Sequence, residues 1–258
     1  MALAALALWV WVLTLALGAW RWNSVLRLGP PERALFPYGE LRVAIDPSNP
    51  PFAFPDGDGY AGIEPELARA LGERLGVPVR FVPHGFDGLY DALKTDQADV
   101  ALAALVPNPA RTADVSYSRP YFNAGQVLVV NGAVAPDTLE AGFAGRVALA
   151  YGTPEQSEAE RWLRRVPPFE VRPYETHAVA LDALRLGDAD AALVDAVSAG
   201  RYRAAHPDWE SAVVPVTTTP YAAALRPDRP GLAGAFDRAL QSLMLDGSLN
   251  SLLARYLP

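Results

Sequence analysis

Gly187-Asp188-Ala189-Asp190-Ala191-Ala192-Leu193-Val194-Asp195 decides how the second half of this chain is read. Ala191–Val194 is a short apolar run of the kind that fills a buried strand, and Asp195 stands at its carboxyl end. Helical patterns flank it, His177–Leu186 before and Val197–Ala205 after. The alternation extends upstream. Strands are expected at Leu41–Ile45, Val79–Val82, Val100–Leu105, Val127–Val130 and Arg146–Ala150. Helices are expected at Pro65–Leu75, Phe86–Leu93 and Pro154–Leu163. In the first of these, Leu67, Ala70, Leu71 and Leu75 fall at helical spacing, with Gly76 as the stop. In the last, Glu155 sits where the helix dipole favours an acid. Downstream come a strand at Tyr221–Leu225 and closing helices at Leu232–Leu245 and Ser248–Tyr256. Strands alternating with helices of this length make βαβ units and mostly parallel sheets. Ligands of such sheets sit beyond the carboxyl ends of the strands, which points to the loops after Ile45, Leu105, Ala150 and Val194.

Composition bounds the function. The chain has 258 residues, 51% of them hydrophobic, enough for one large domain or two small ones with real cores. The net charge of -7 argues against nucleic acid, which calls for a basic stripe. With no cysteine, a disulfide framework, a thiolate metal site, a Cys nucleophile and a Cys-linked lipid anchor are excluded. His84, His177 and His206 are dispersed, so no metal site and no cofactor is expected. Neither a Gly-x-Ser-x-Gly elbow nor a phosphate-binding Gly-Lys-Ser/Thr loop occurs.

Residues 1–22 carry an apolar run from Leu3 to Leu17 with Trp9, Trp11 and Trp20 as bulky members. Such a run is either a signal peptide or a membrane anchor, an N-terminal hydrophobic helix. Ala16-Leu17-Gly18 fits a small-x-small cleavage site, whereas the length and the tryptophans favour an anchor. No Lys or Arg precedes the run, and Arg21, Arg27 and Arg33 follow it. A basic segment upstream of Met1 is therefore an expectation. Residues 23–39, with Gly29-Pro30-Pro31 and Pro37-Tyr38-Gly39, read as a linker.

Several stretches resemble the periplasmic amino-acid-binding proteins of ABC importers, bacterial solute-binding protein family 3. Leu41–Asp46, Pro50–Phe54 and Gly62–Leu67 resemble their opening. Phe86–Leu89, Asp99–Ala104, Arg111 and Ser116–Tyr121 follow in family order, then Gly152-Thr153 and Gly187–Asp195. The resemblance covers roughly residues 40–257. It implies an α/β fold of two lobes, the type 2 periplasmic-binding-protein-like fold, each lobe a mostly parallel sheet flanked by helices. Residues 40–125 and 218–258 would form lobe 1 and 126–217 lobe 2, with a hinge near Gln126–Val130 and Thr217–Tyr221.

The resemblance also implies a ligand site. Arg111 is expected to clamp a carboxylate, because a guanidinium grips it by two parallel hydrogen bonds. Asp195 is expected to meet the ligand ammonium from lobe 2, and also fits the cap of the following helix. Asp46 resembles the family's acid for an amine or polar side chain, and also fits a turn. Phe52 and Phe86 match aromatic walls, with core packing the plain alternative for Phe52. The backbone at Ala103 and Ala104 would face the ammonium, and Thr153 the carboxylate. Tyr121 reads as hinge packing. Two positions depart from the family pattern. Val106 stands where a Ser or Thr is usual, with Asn108 nearby, and Pro154 lacks the N–H that relatives use.

The expected protein is thus an exported, monomeric solute-binding protein on the periplasmic or extracellular face, working with an ABC permease. It would touch the membrane through its N-terminal segment, and would not be an enzyme. The alternatives are a cyclohexadienyl-dehydratase-like enzyme, for which Glu155 and His177 are the candidate acid and base, and an anchored ligand-sensing module.

Overall fold

The computed structural model describes residues 35–166, 168–229 and 231–257. The expected signal or anchor lies outside these residues. Two five-stranded sheets carry the fold. The first joins β1 (Leu41–Ile45), β4 (Val79–Pro83), β5 (Val100–Leu102), β6 (Ser116–Asn123) and β12 (Pro220–Leu225) in the order β4-β1-β5-β12-β6. The second joins β7 (Gln126–Asn131), β8 (Arg146–Ala150), β9 (Glu170–Tyr174), β10 (Ala191–Asp195) and β11 (Ser211–Pro215) in the order β11-β7-β10-β8-β9. A small hairpin, β2 (Phe54–Asp56) with β3 (Gly59–Ala61), stands apart.

Side-chain alternation explains why both faces of each sheet are covered. Leu41, Val43 and Ile45 point to one face of the first sheet. There they pack on α1 (Ile63–Leu75), α7 (Leu232–Leu245) and α8 (Ser248–Tyr256) through Leu67, Leu71, Phe236, Leu240 and Leu252. Ala44 and Ala101 point the other way, onto Leu89 and Leu93 of α2 (Leu89–Lys94). In the second sheet, Val127, Val129 and Val194 pack on α5 (His177–Leu186) and α6 (Ala196–Ala205). Leu128, Leu149 and Leu193 pack toward α4 (Pro154–Leu163) and a stacked Phe143–Trp162 pair. A single helical turn, α3 (Leu139–Gly142), leads into Phe143.

The chain crosses between the sheets at Ala124–Gly125 and again at Val216–Thr219. The two passages run side by side. Asn123 Oδ1 accepts from Gly125 N at 3.1 Å and from Thr219 N at 2.8 Å. Thr217 Oγ1 accepts from Gln126 N at 2.8 Å, and Ala124 N donates to Thr219 O. Contact is so close that a Cβ on Gly125 would lie 2.0 Å from Thr217 O. Val127–Val130, expected as a strand and also as part of a crossover near Gln126–Val130, is strand β7 inside the second sheet, because its apolar alternation pairs it with β10 and β11, and the crossover lies just before it.

The expected Phe86–Leu93 helix is split. A 3-10 turn at Phe86–Gly88 precedes α2, and Gly85 and Gly88 bracket that turn. Val100–Leu105 stops as a strand at Leu102, and Ala104 then turns with φ +50°.

At the end of the first sheet remote from the crossovers, Asp99 is fully buried and binds Arg42 by three hydrogen bonds, to N, Nε and Nη2, of 2.9, 3.1 and 2.7 Å. Arg229 reaches the same carboxylate, and Arg226 joins through Asp96. This network ties the strand start to the segment that follows β12. Removing one member of a buried ion pair leaves its partner uncompensated. Asp99→Ala is therefore expected to cost about 3–5 kcal/mol of unfolding free energy, read from urea denaturation. A loss below ~1 kcal/mol, the value of an exposed pair, would show that solvent screens the network.

Candidate ligand-binding site

Both sheets aim the carboxyl ends of their parallel strands at the crossovers. β12 leaves the second crossover at Pro220 and runs antiparallel to β5. Likewise, β7 leaves the first crossover at Gln126 and runs antiparallel to β10, so that Asp195 pairs with Gln126. The loops after β1, β5, β8 and β10 therefore border one cleft, as doubly wound topology predicts.

In the second lobe, three helix starts converge on His177. Its Nδ1 lies 3.0 Å from Asp195 Oδ2, and its Nε2 lies 3.3 Å from Glu155 Oε2. Ser198 Oγ is 3.2 Å from the same Nδ1. Asp195 also caps α6, accepting from Ser198 N at 2.8 Å. Hydrogen bonds to Asp195 and Glu155 push the His177 imidazole up to about 9, against burial. Burial works against an Asp195 carboxylate, but His177 and Ser198 outweigh it and hold Asp195 at about 2. Glu155 follows the same logic. Burial opposes its charge, and His177, Thr153 and its own N–H bring its pKa below the ordinary value. The N-terminus of α4, with Pro154 in its first turn, is thus turned to an anion of its own. Thr153 Oγ1 donates to Ala150 O at 2.8 Å.

The first lobe is built differently. Asp46 ends β1 and accepts from Ser48 N at 3.0 Å and Ser48 Oγ at 2.7 Å, so the turn reading holds for it. Arg111 closes a 3-10 turn, Pro109–Arg111, and lies over the Tyr90 ring at 4.3 Å. Among the described residues its guanidinium enters no ion pair. Asn108 caps that turn, its Oδ1 accepting from Ala110 N at 3.0 Å. Phe86 is half exposed. Phe52 corrects an expectation. It is 2% exposed, edge-on to Phe122 at 5.4 Å and Tyr221 at 5.3 Å, and acts as core beneath the site. Ala103 is likewise buried.

The sequence reading missed Glu64. Its carboxyl is fully buried in the first turn of α1, accepts from Ala104 N at 2.5 Å, and takes the Tyr121 hydroxyl. Among the described residues its Oε2 has no hydrogen-bond partner. Gly62 makes this approach possible, because its φ is +118° and a Cβ would meet Phe52 O at 2.5 Å. Burial pushes Glu64 up to about 7, Tyr121 and Ala104 pull it down, and Asp46 adds to the rise. Tyr221 was missed as well. Burial raises its pKa, and the Asp195 and Glu64 carboxylates raise it further. The motif Gly62-Ile63-Glu64 was the available signal, but an acid there reads first as an exposed first-turn residue.

The fold and cleft define a two-lobed α/β binding protein of the periplasmic type. Residues 41–258 match the model for bacterial extracellular solute-binding proteins, family 3, and the chain belongs to that family. The L-cystine-binding protein TcyJ of Escherichia coli (strain K12) is 32% identical over 165 residues, 62% of this chain and 60% of the relative. The chain thus aligns with less than two thirds of that relative's length. The arginine-binding extracellular protein ArtP of Bacillus subtilis (strain 168) is 24% identical, over 80% of this chain and 81% of its own. Among solved structures, an ancestral cationic amino acid solute binding protein is 29% identical with a TM-score of 0.61, covering 89% of this chain and all of that one.

The Glu64 carboxyl gives a pH signature of stability. Its folded pKa lies above the ordinary 4.5, so its contribution is complete below about pH 4.5 and is lost as pH rises through about 7. The Glu64→Gln variant should lack this slope. The stability gap between parent and variant should change by on the order of 3 kcal/mol between pH 4.5 and 7.5, measured by denaturation across pH. Parallel profiles would show that Glu64 ionises as freely in the fold as in the unfolded chain.

Proposed function

We propose that this chain is an exported solute-binding protein that closes its two lobes on a small amino-acid-like ligand and delivers it to an ABC permease. One observation carries the reading: Asp195 stands at the carboxyl end of β10, paired with Gln126 where the chain enters the second lobe, so that its carboxylate lies beside the crossover. An ammonium is the natural guest of such a place. Arg111, stacked on Tyr90 and without an ion pair among the described residues, is the natural seat for a carboxylate. A free amino acid presents both charges a few ångströms apart. The relatives named for cystine and arginine support this class of ligand.

Closure follows from the same geometry. Asp195 and Arg111 lie in different lobes and share a ligand when the cleft shuts. The closed state is favoured by contacts the open state lacks. The paired passages at Gly125 and Thr217 are the natural hinge. Lobe 1 then comprises residues 40–125 and 218–258, and lobe 2 comprises 126–217.

The Glu155–His177 pair supports a second reading, an acid–base enzyme of the dehydratase kind. Physical chemistry weighs against it. Each imidazole nitrogen faces a carboxylate, and a proton held at about 9 is a reluctant acid near neutrality. Incubation with prephenate and arogenate should give no aromatic product. Turnover that is lost in His177→Gln would establish the enzyme.

A thermal-shift screen of amino acids and small organic acids tests the binding reading, since a bound ligand stabilises by mass action. At least one amino acid should raise the melting temperature, and none doing so overturns the reading. With that ligand, Arg111→Ala is expected to weaken binding by about 2–5 kcal/mol in calorimetry. Unchanged affinity would remove Arg111 from the site. Asp195→Asn should weaken the free amino acid more than its N-acetyl derivative. Equal losses would deny Asp195 the ammonium.

A further inference from the structure

The second-lobe wall of the cleft carries its own cation. His177 stands between Asp195 and Glu155 at 3.0 and 3.3 Å, and those acids come from different elements, the end of β10 and the first turn of α4. The imidazole is the first residue of α5, and Thr176 fixes that start by accepting from Val179 N. His177 therefore joins three helix starts at the border of the cleft. Its partners are negative in the fold, since both carboxyls lie below their ordinary range.

We propose that His177 is a specificity-determining residue, which holds the second-lobe wall at one net negative charge and so weights the cleft against ligands with a second cationic group. The inference rests on the amino-acid reading above. With the imidazolium in place, Asp195 and Glu155 sum with it to a single negative charge, matched by one ammonium. Without it, the wall carries two, and a guanidinium or second ammonium gains a partner. Asp195 can serve the ligand ammonium while keeping His177, because a carboxylate has about four acceptor directions. A full charge at close range is worth about tenfold or more in affinity at the effective dielectric of such sites.

The charged groups that act on His177 are Asp195 and Glu155, with the Ser198 hydroxyl beside them. Glu175, two residues upstream, is exposed. Asp182, Arg185 and Tyr202 form a separate cluster further along α5 and α6. Arg203 of α6 has a partner of its own.

Calorimetry with L-arginine and L-glutamine, which differ by one side-chain cation, tests the inference. In His177→Gln, whose amide still donates to a carboxylate, the ratio of arginine to glutamine affinity should rise about tenfold or more at pH 7.5. The parent supplies an arm that needs no variant. Its own ratio should rise between pH 8 and 9.5 as the imidazolium loses its proton, and the gap to His177→Gln should close. The α-ammonium titrates alike in both ligands and cancels from the ratio. A structural role would lower both affinities together and leave a gap that does not change with pH. If the thermal-shift screen is positive yet the ratio stays constant in the variant and across pH, the inference is overturned and the amino-acid reading survives. If the screen is negative, both fall.

Discussion

Gly125 packs so closely on Thr217 that no larger residue fits, and the rest of the molecule hangs on that contact. The chain leaves the first sheet after β6, returns to it at β12, and must lay the two passages against each other. Asn123 and Thr217 bind across them, so that the passages form one short ribbon. The ribbon fixes the direction of both sheets. β7 starts where the first passage ends and β12 starts where the second ends. Their antiparallel neighbours β10 and β5 therefore terminate at the same place. The place of Asp195, opposite Gln126 beside the first passage, is a consequence of strand direction.

Strand burial decided how much of this was legible in the sequence. Central strands β1, β8 and β10 are short apolar runs, and their places were readable to within a residue. The unread strands of the main sheets, β6, β9 and β11, each lie at a sheet edge. Their sequences carry Arg119, Pro120, Arg172 and Pro173, which suit an edge and hide the strand pattern. Helices α4, α5, α7 and α8 were readable at both ends because prolines and glycines punctuate their boundaries, with a Thr176 cap opening α5.

The place of a residue was legible where it follows from a strand. Asp46 and Asp195 do stand at strand ends, where the one closes a turn on Ser48 and the other caps a helix. Legibility failed where a long-range contact decides. Nothing local separates Phe52 in the core from Phe86 at the surface, since burial of Phe52 depends on Phe122 and Tyr221, far along the chain. Glu64 reads as a solvated first-turn acid until Ala104 and Tyr121 arrive to bind it. His177 and Glu155, 22 positions apart, could be named as candidates, but their shared geometry could not be read.

The two halves of the cleft face a ligand in different states of readiness. In the second lobe the ionised groups are already paired, so their desolvation is offset before any ligand arrives. In the first lobe Arg111 rests on an aromatic face, and Asp46 accepts from Ser48 N and Oγ. Charges without a counter-ion gain most from a ligand that brings one. The second lobe supplies selection, because a ligand group must fit around the His177 contacts with Asp195 and Glu155 or displace them. A wall left with one net negative charge accepts one ammonium and offers a second cation no partner, which is how discrimination arises without a large cost in affinity.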